Sequence, residues 1–342
     1  MKTPADKSTL SSVATSRSMA PLELVVIAAG FVLVAIFMRV HWTTNFMIFC
    51  MLVLSYDLLY GYMGHLSFGH MLYFGAGAYA TGLWLVRMNM NCLQAILAGV
   101  LCAALIAAIL GCIVVRTHGA TFALINMAFN EIGYFVVYSA LRDYTHGEDG
   151  LSCSANPILG IIDPYDEYHA FGLVLVLLLA VFWFLRRLTG SSYGILIRSI
   201  KENEKRVSFL GYNTSVFRWL TFVIASSLAG LAGGVFAVVQ GFVSPMAISS
   251  FGNVEIIFAV LIGGAGNLYG ALIGGVIFMV IKNFLPVMIP GAQKLVNFTI
   301  PQWELWLGIV LLIIVFALRE GVVGFCEAKL SAIRVRRKSE GI

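Results

Sequence analysis

Apolar residues run through this chain in long uninterrupted stretches separated by short polar breaks, with neither the alternation of a half-buried strand nor the one-sided stripe of a surface helix. A helix needs about 20 predominantly apolar residues to cross the hydrocarbon core of a bilayer. Stretches of that kind occur at 22–40, 46–59, 71–86, 92–115, 121–139, 169–188, 220–240, 254–262, 268–289 and 303–318. The pattern predicts an all-α polytopic transmembrane bundle of about ten helices. It divides the chain into an N-terminal tail (1–21), a membrane domain (22–318) and a basic tail (319–342). The first stretch follows a polar, Ser/Thr-rich segment with no small-residue cleavage site after it, so it reads as a retained helix and not a signal peptide.

Composition agrees: 60% of residues are apolar and 11% charged, with a mean hydropathy of +0.90. A soluble domain carries about 25% charged residues. The net charge of +5 calls for no nucleic acid, because the basic residues sit in short loops between apolar spans. Arg186, Arg187, Arg198, Lys201, Lys205, Arg206 and Arg218 crowd the loop around 189–218, and Arg334, Arg336, Arg337 and Lys338 crowd the tail. The loop 140–168 has Arg142 as its one arginine or lysine, among several acids. By the positive-inside rule the basic loop and both termini are cytoplasmic and the loop 140–168 is external. Cys50, Cys102 and Cys112 lie inside spans, so the six cysteines form no scaffold; Cys92 and Cys153 are the two that could both face outside, either as a pair or, the commoner case, as two free thiols.

The informative positions are those where glycine or polar groups interrupt a span. One is Gly61-Tyr-Met-Gly64-His65-Leu66-Ser67-Phe68-Gly69-His70, and the other is Gly263-Gly264-Ala265-Gly266-Asn267-Leu268-Tyr269-Gly270. Such segments are either tight helix crossings or broken helices whose backbone lines a cavity. On the second reading Gly64, Ser67, Gly69, Gly263, Gly264, Gly266 and Asn267 belong to a translocation path. Asn126 and Glu131 join them, since a carboxylate inside a span must face protein or water. The run from Ala225 to Gly234 reads as close packing. Asp57 and Glu255 lie near span ends, where capping or snorkelling explains them. His65 and His70 have no acidic companion, so no metal site is expected. The chain has no Gly-x-x-x-x-Gly-Lys-Ser/Thr loop and no His-Glu-x-x-His, Gly-x-Ser-x-Gly or Ser-x-x-Lys motif. It therefore carries no catalytic machinery of its own, no ATP site and no expected cofactor.

Within the basic loop, Ile197, Ile200, Val207 and Leu210 form a helical stripe beside a charged face, and Gly211 supplies a stop. A short amphipathic helix between two spans is either a docking surface or an interfacial helix lying on lipid headgroups.

The segment Gly194-Ile-Leu-Ile-Arg198-Ser-Ile-Lys201-Glu202-Asn203-Glu204, followed by Leu210-Gly211-Tyr212, resembles the cytoplasmic signature of the branched-chain amino acid ABC transporter permeases, LivM-type subunit. Gly64-His-Leu-Ser67-Phe-Gly69-His with Phe74-Gly-Ala-Gly77-Ala-Tyr79, Phe129-Asn-Glu131-Ile, Gly147-Glu148-Asp149-Gly150-Leu and Gly263-Gly264-Ala-Gly266-Asn-Leu-Tyr-Gly270 extend the resemblance over about residues 45–325. The resemblance implies a multi-pass protein of the bacterial cytoplasmic (inner) membrane. It would pair with a homologous second permease, two cytoplasmic ATPase subunits that use the ATP, and an extracytoplasmic substrate-binding protein. Gly194, Arg198, Lys201, Glu202, Asn203, Glu204 and Gly211 would couple to the ATPase, and Glu148 and Asp149 would lie on the side that receives the binding protein. Ser208 and Phe209 depart from the smaller residues expected there. The implied solutes are branched-chain or related amino acids; urea, amides and aromatic acids are served by related permeases. The competing class is a gradient-driven secondary transporter or channel for a small polar solute, with Glu131 as its coupling acid.

Overall fold

The computed structural model describes residues 20–88, 91–153, 164–296, 308, 309, 312 and 321–325. Most of the expected span at 303–318 and most of both tails lie outside the described residues. The first two helices are α1 (Ala20–Phe37) and α2 (Val40–Asp57), the latter extended by a wider turn of π type over Leu58–Tyr62. After an irregular segment come α3 (His70–Met88), α4 (Cys92–Val114) and α5 (Gly119–Phe135), which also ends in a π turn, Val136–Ala140. A single turn, α6 (Arg142–Thr145), leads to α7 (Glu167–Thr189), α8 (Ser192–Phe209), α9 (Thr214–Gln240), α10 (Ser250–Gly263) and α11 (Leu268–Val296). Each of the nine expected spans that can be compared has its helix. Among the described residues, six helical segments are long and apolar enough to cross a membrane: Val40–Tyr62, Cys92–Val114, Gly119–Ala140, Glu167–Thr189, Thr214–Gln240 and Leu268–Leu285.

Local sequence sets the helix ends. Asp166 caps α7 by accepting from the Tyr168 amide at 2.9 Å, and Glu167 in its first turn and Arg186 and Arg187 in its last complement the helix dipole. Asn213 caps α9 through the Val216 amide, and Gly241, in the left-handed conformation at φ 63°, ends it.

Packing follows membrane rules. On α4, Leu93, Leu97, Leu101, Leu105 and Ile109 recur every fourth residue and all point outward, whereas Ala95, Gly99, Ala103 and Ala107 face the bundle. Small residues let backbones approach where lipid removes the usual hydrophobic drive between helices. The run on α9 does what its composition suggests. A side chain at Gly233 would strike the Phe74 carbonyl, one at Gly77 would strike Gly230, and one at Gly230 would strike Ala103, so α3, α4 and α9 interlock. At the centre stands α2, buried continuously from Ile48 to Leu59 apart from partly exposed Phe49. It packs against α7, α9 and α11. Two short strands, Leu151–Ser152 and Phe242–Val243, pair antiparallel and fasten the loop after α6 to the end of α9.

Candidate coupling and translocation site

The two glycine-rich breaks, some 200 residues apart in sequence, touch. The Asp57 carboxylate accepts a hydrogen bond from the Gly266 amide at 2.8 Å. A side chain at Gly61 would overlap both that carboxylate and Gly266. Gly64, Gly264 and Gly266 have φ of 79°, 109° and 85°, a region closed to most side-chain-bearing residues. Gly263 packs on the Gly270 backbone, so the crossing and the break coincide there. Asn267 caps α11 by accepting from the Tyr269 amide at 3.0 Å. Asp57 is fully buried, so it does not snorkel; it holds one break to the other.

Helix α8 lies against this junction. Lys201 donates to the Gly61 carbonyl at 2.7 Å with its stem across Gly64, and the Arg198 guanidinium sits 4.7 Å from the centre of the Tyr62 ring. Gly61, Arg198, Lys201, Glu202, Ala265 and Gly266 line an open cleft of about 480 Å³. Gly194 is needed because a side chain there would strike the Thr189 backbone. The helix is bent: Asn203 has φ −158° and ψ 92°, and its Oδ1 accepts from the Arg206 amide at 3.0 Å, capping a second short helical piece. Ile197, Ile200 and Val207 are buried as the stripe predicts. Leu210 is a correction to it: 71% exposed beside Phe209 at 91%. The helix ends at Phe209, so Leu210 lies past its last residue, and Gly211 then turns left-handed at φ 90°.

Glu204 anchors the bent end to the bundle. Arg218, 1% exposed, donates to Glu204 at 3.1 Å and to the Thr117 carbonyl at 2.6 Å, and lies 2.5 Å from His118 Nε2. His118 in turn contacts Glu204 at 3.1 Å. This ties α8 to the α4–α5 turn and the root of α9.

The remaining path candidates fall in two places. Ser67, Gly69 and Asn126 form a packed cluster: Ser67 Oγ accepts the Gly69 amide, Tyr56 donates to the Ser67 carbonyl, and a side chain at Gly69 would strike the Asn126 carbonyl. Glu131 sits on an exposed face of α5, hydrogen-bonded to the Ser250 hydroxyl at the start of α10. Next to it Asn130 bonds the Ile248 carbonyl and Asn253, and Asn253 accepts from the Met71 amide at 2.9 Å, so the first turns of α3 and α10 meet. Glu148 and Asp149 are exposed in the loop after α6, where Tyr138 donates to Glu148 at 2.7 Å. Cys153 is a free thiol bonded to the Leu151 carbonyl, so it forms no disulfide with Cys92.

Sequence reasoning missed one feature. Glu255 neither caps nor snorkels; it forms an ion pair with Lys282 on α11 at 2.6 and 2.7 Å. The pair lines a cavity of about 600 Å³ at the opposite end of α2 from Gly61. The signal available was Lys282 itself, the lone lysine in the apolar stretch 268–289.

These features define a class: a polytopic helical membrane protein whose central helices are broken by glycine beside a charged loop helix. The family model described as "Branched-chain amino acid transport system / permease component" matches residues 38–318, and the chain belongs to that family. It is 26% identical over 290 residues to the high-affinity branched-chain amino acid transport system permease protein LivM of Salmonella typhimurium, covering 77% of this chain and 67% of that protein. It is 25% identical over 262 residues to LivM of Escherichia coli, covering 70% and 61%. It is also 26% identical over 253 residues to LivH of S. typhimurium, covering 67% and 79%. The match thus spans about two thirds or less of the two LivM relatives' own length. No solved structure matches the chain. A permease component of the membrane is what the family and the fold together establish.

Proposed function

We propose that this chain is the permease subunit of an ABC importer of the bacterial inner membrane, moving branched-chain or related amino acids delivered by an external binding protein. Similarity to both LivM and LivH supports a homologous second permease as its partner in the membrane. Of the two ATPase subunits, one would seat on α8 of this chain, and the external binding protein on the side of Glu148 and Asp149. About ten spans would leave both termini cytoplasmic. In support, Glu23 near the start of α1 pairs with Arg186, and Gly321 packs on Gly264, so both ends of the described chain lie on the α8 side.

The observation that carries the reading is the seating of Lys201 and Arg198 on the junction of the two glycine breaks. A helix displaced by ATP-driven closure below it would pull on Gly61 and, through Asp57, on Gly266. Both breaks would then move together, as a path opened by another subunit requires. Membrane lipid would contact the outward leucines of α4.

The test is uptake by proteoliposomes containing the complete complex. The double charge reversal Arg198→Glu with Glu202→Lys should cut ATP-driven uptake by about tenfold or more, equivalent to about 1.4 kcal/mol. Unchanged uptake would sink the coupling role. Transport by this chain alone, driven by a gradient and indifferent to ATP, would instead establish the secondary-transporter class, with the exposed Glu131 as its acid.

A further inference from the structure

The Glu255–Lys282 pair has no evident structural need. Ion pairs inside membrane spans are expensive and face protein or water-filled space, so one that lines a cavity asks what the cavity holds. Its walls are apolar at Phe49 and Leu52 of α2, Phe74 of α3 and Met279 of α11, polar at His41, Asn45 and Asn283, and carry one acid, Glu255, against one lysine, Lys282. Two of its lining residues, Gln240 on α9 and Asn45 on α2, are joined by a 2.6 Å hydrogen bond that Gln240 donates. The volume of about 600 Å³ falls in the ordinary range for small-molecule sites.

The pair also has spare bonding capacity. Each Glu255 oxygen accepts one bond from Lys282, which leaves lone pairs on both oxygens and at least one further ammonium proton. A molecule bearing one positive and one negative group on the same carbon satisfies both ends at once and adds no net charge to the membrane interior. A molecule bearing only one of them leaves an ion unanswered and imports a net charge, which costs several kcal/mol in low dielectric.

We propose that this cavity is a transit site for an α-amino acid zwitterion with an apolar side chain. Lys282 takes the carboxylate, Glu255 takes the ammonium, and the side chain lies against Phe49, Leu52 and Met279. This rests on the permease reading above and adds a solute-contacting site to it. The site lies at the end of α2 away from α8, so a zwitterion reaches it before the junction of the glycine breaks.

The test uses the full complex in membranes with Met279→Cys, and reads modification of the introduced thiol by a polar maleimide through mass spectrometry of its peptide. Saturating leucine should slow labelling by about tenfold. 4-Methylpentanoate, which lacks the ammonium, and 3-methylbutylamine, which lacks the carboxylate, should protect far less. Adding Lys282→Met or Glu255→Gln should abolish protection by leucine while the thiol still labels in its absence, which shows that the cavity persists. Three results overturn the proposal: no protection by leucine, equal protection by all three compounds, or a thiol that never labels because a second permease covers the cavity. Each of these leaves ATP-driven uptake by the wild-type complex untouched. Failure of that uptake would instead be failure of the permease reading.

Discussion

At the scale of single residues, Glu204 is held in its charged form by its neighbours. Partial burial raises its pKa, but the Thr214 hydroxyl and the Arg218 guanidinium outweigh burial and hold it below the ordinary carboxylate value. A carboxyl depressed in the fold contributes stability that is fully present above its unfolded value and is lost as pH falls through its folded one. Thermal melts of the purified protein in detergent should therefore show Glu204→Gln melting below wild type at neutral pH. The gap should close as the solution is acidified through the carboxylate range. A gap that stayed constant with pH would mean that the ionised carboxylate is not what holds α8 to Arg218. Sequence reading placed Glu204 in the loop signature but could not find its partners, because His118 lies in the α4–α5 turn and Arg218 on α9. The same blindness made Asp57 and Glu255 capping or snorkelling acids, since Gly266 is far from Asp57 in sequence and Lys282 far from Glu255.

At the scale of elements, the glycines separate into those that hold the bundle together and those that do not. A side chain at Gly233 would strike the Phe74 carbonyl, whereas one at Gly172 on α7 would meet nothing within 4 Å. Gly233→Ala should destabilise the protein by about 1–3 kcal/mol, the usual cost of overpacking. Gly172→Ala should be neutral or slightly stabilising, because alanine is the better helix former. Comparison of the two midpoints in a thermal-shift assay checks this; equal midpoints would refute the interlock of α3 with α9. The helices were legible from apolar run length alone, and α8 from its stripe. The bend at Asn203 was not, since asparagine among helix-favouring neighbours signals a break only once its side chain is seen capping Arg206.

For the whole molecule, the decisive question is which side faces which compartment. Glu148 and α8 belong to opposite ends of the bundle if α5 and α7 cross it, as their lengths of 22 and 23 residues allow. At 1.5 Å per residue each spans about 33 Å, enough for the hydrocarbon core. In intact cells an impermeant maleimide should label a thiol introduced by Glu148→Cys and leave one introduced by Lys205→Cys untouched. Permeabilised or inverted membranes should reverse the second result. Labelling of both in intact cells would break the topology and, with it, the seating of an ATPase on α8.

The sequence by itself determined that this chain lives in a membrane, how many apolar segments it offers, and that glycine breaks two of its spans. Those are properties of residues near one another: transfer free energy sums along a run, and φ preference belongs to one residue. Whether the two breaks form one junction, which carbonyl Lys201 holds, and that Glu255 faces Lys282 across a cavity were decided by tertiary structure alone. Such contacts join residues whose separation is set by the packing of whole helices, and one chain's run of letters carries no record of which face of one helix meets which face of another.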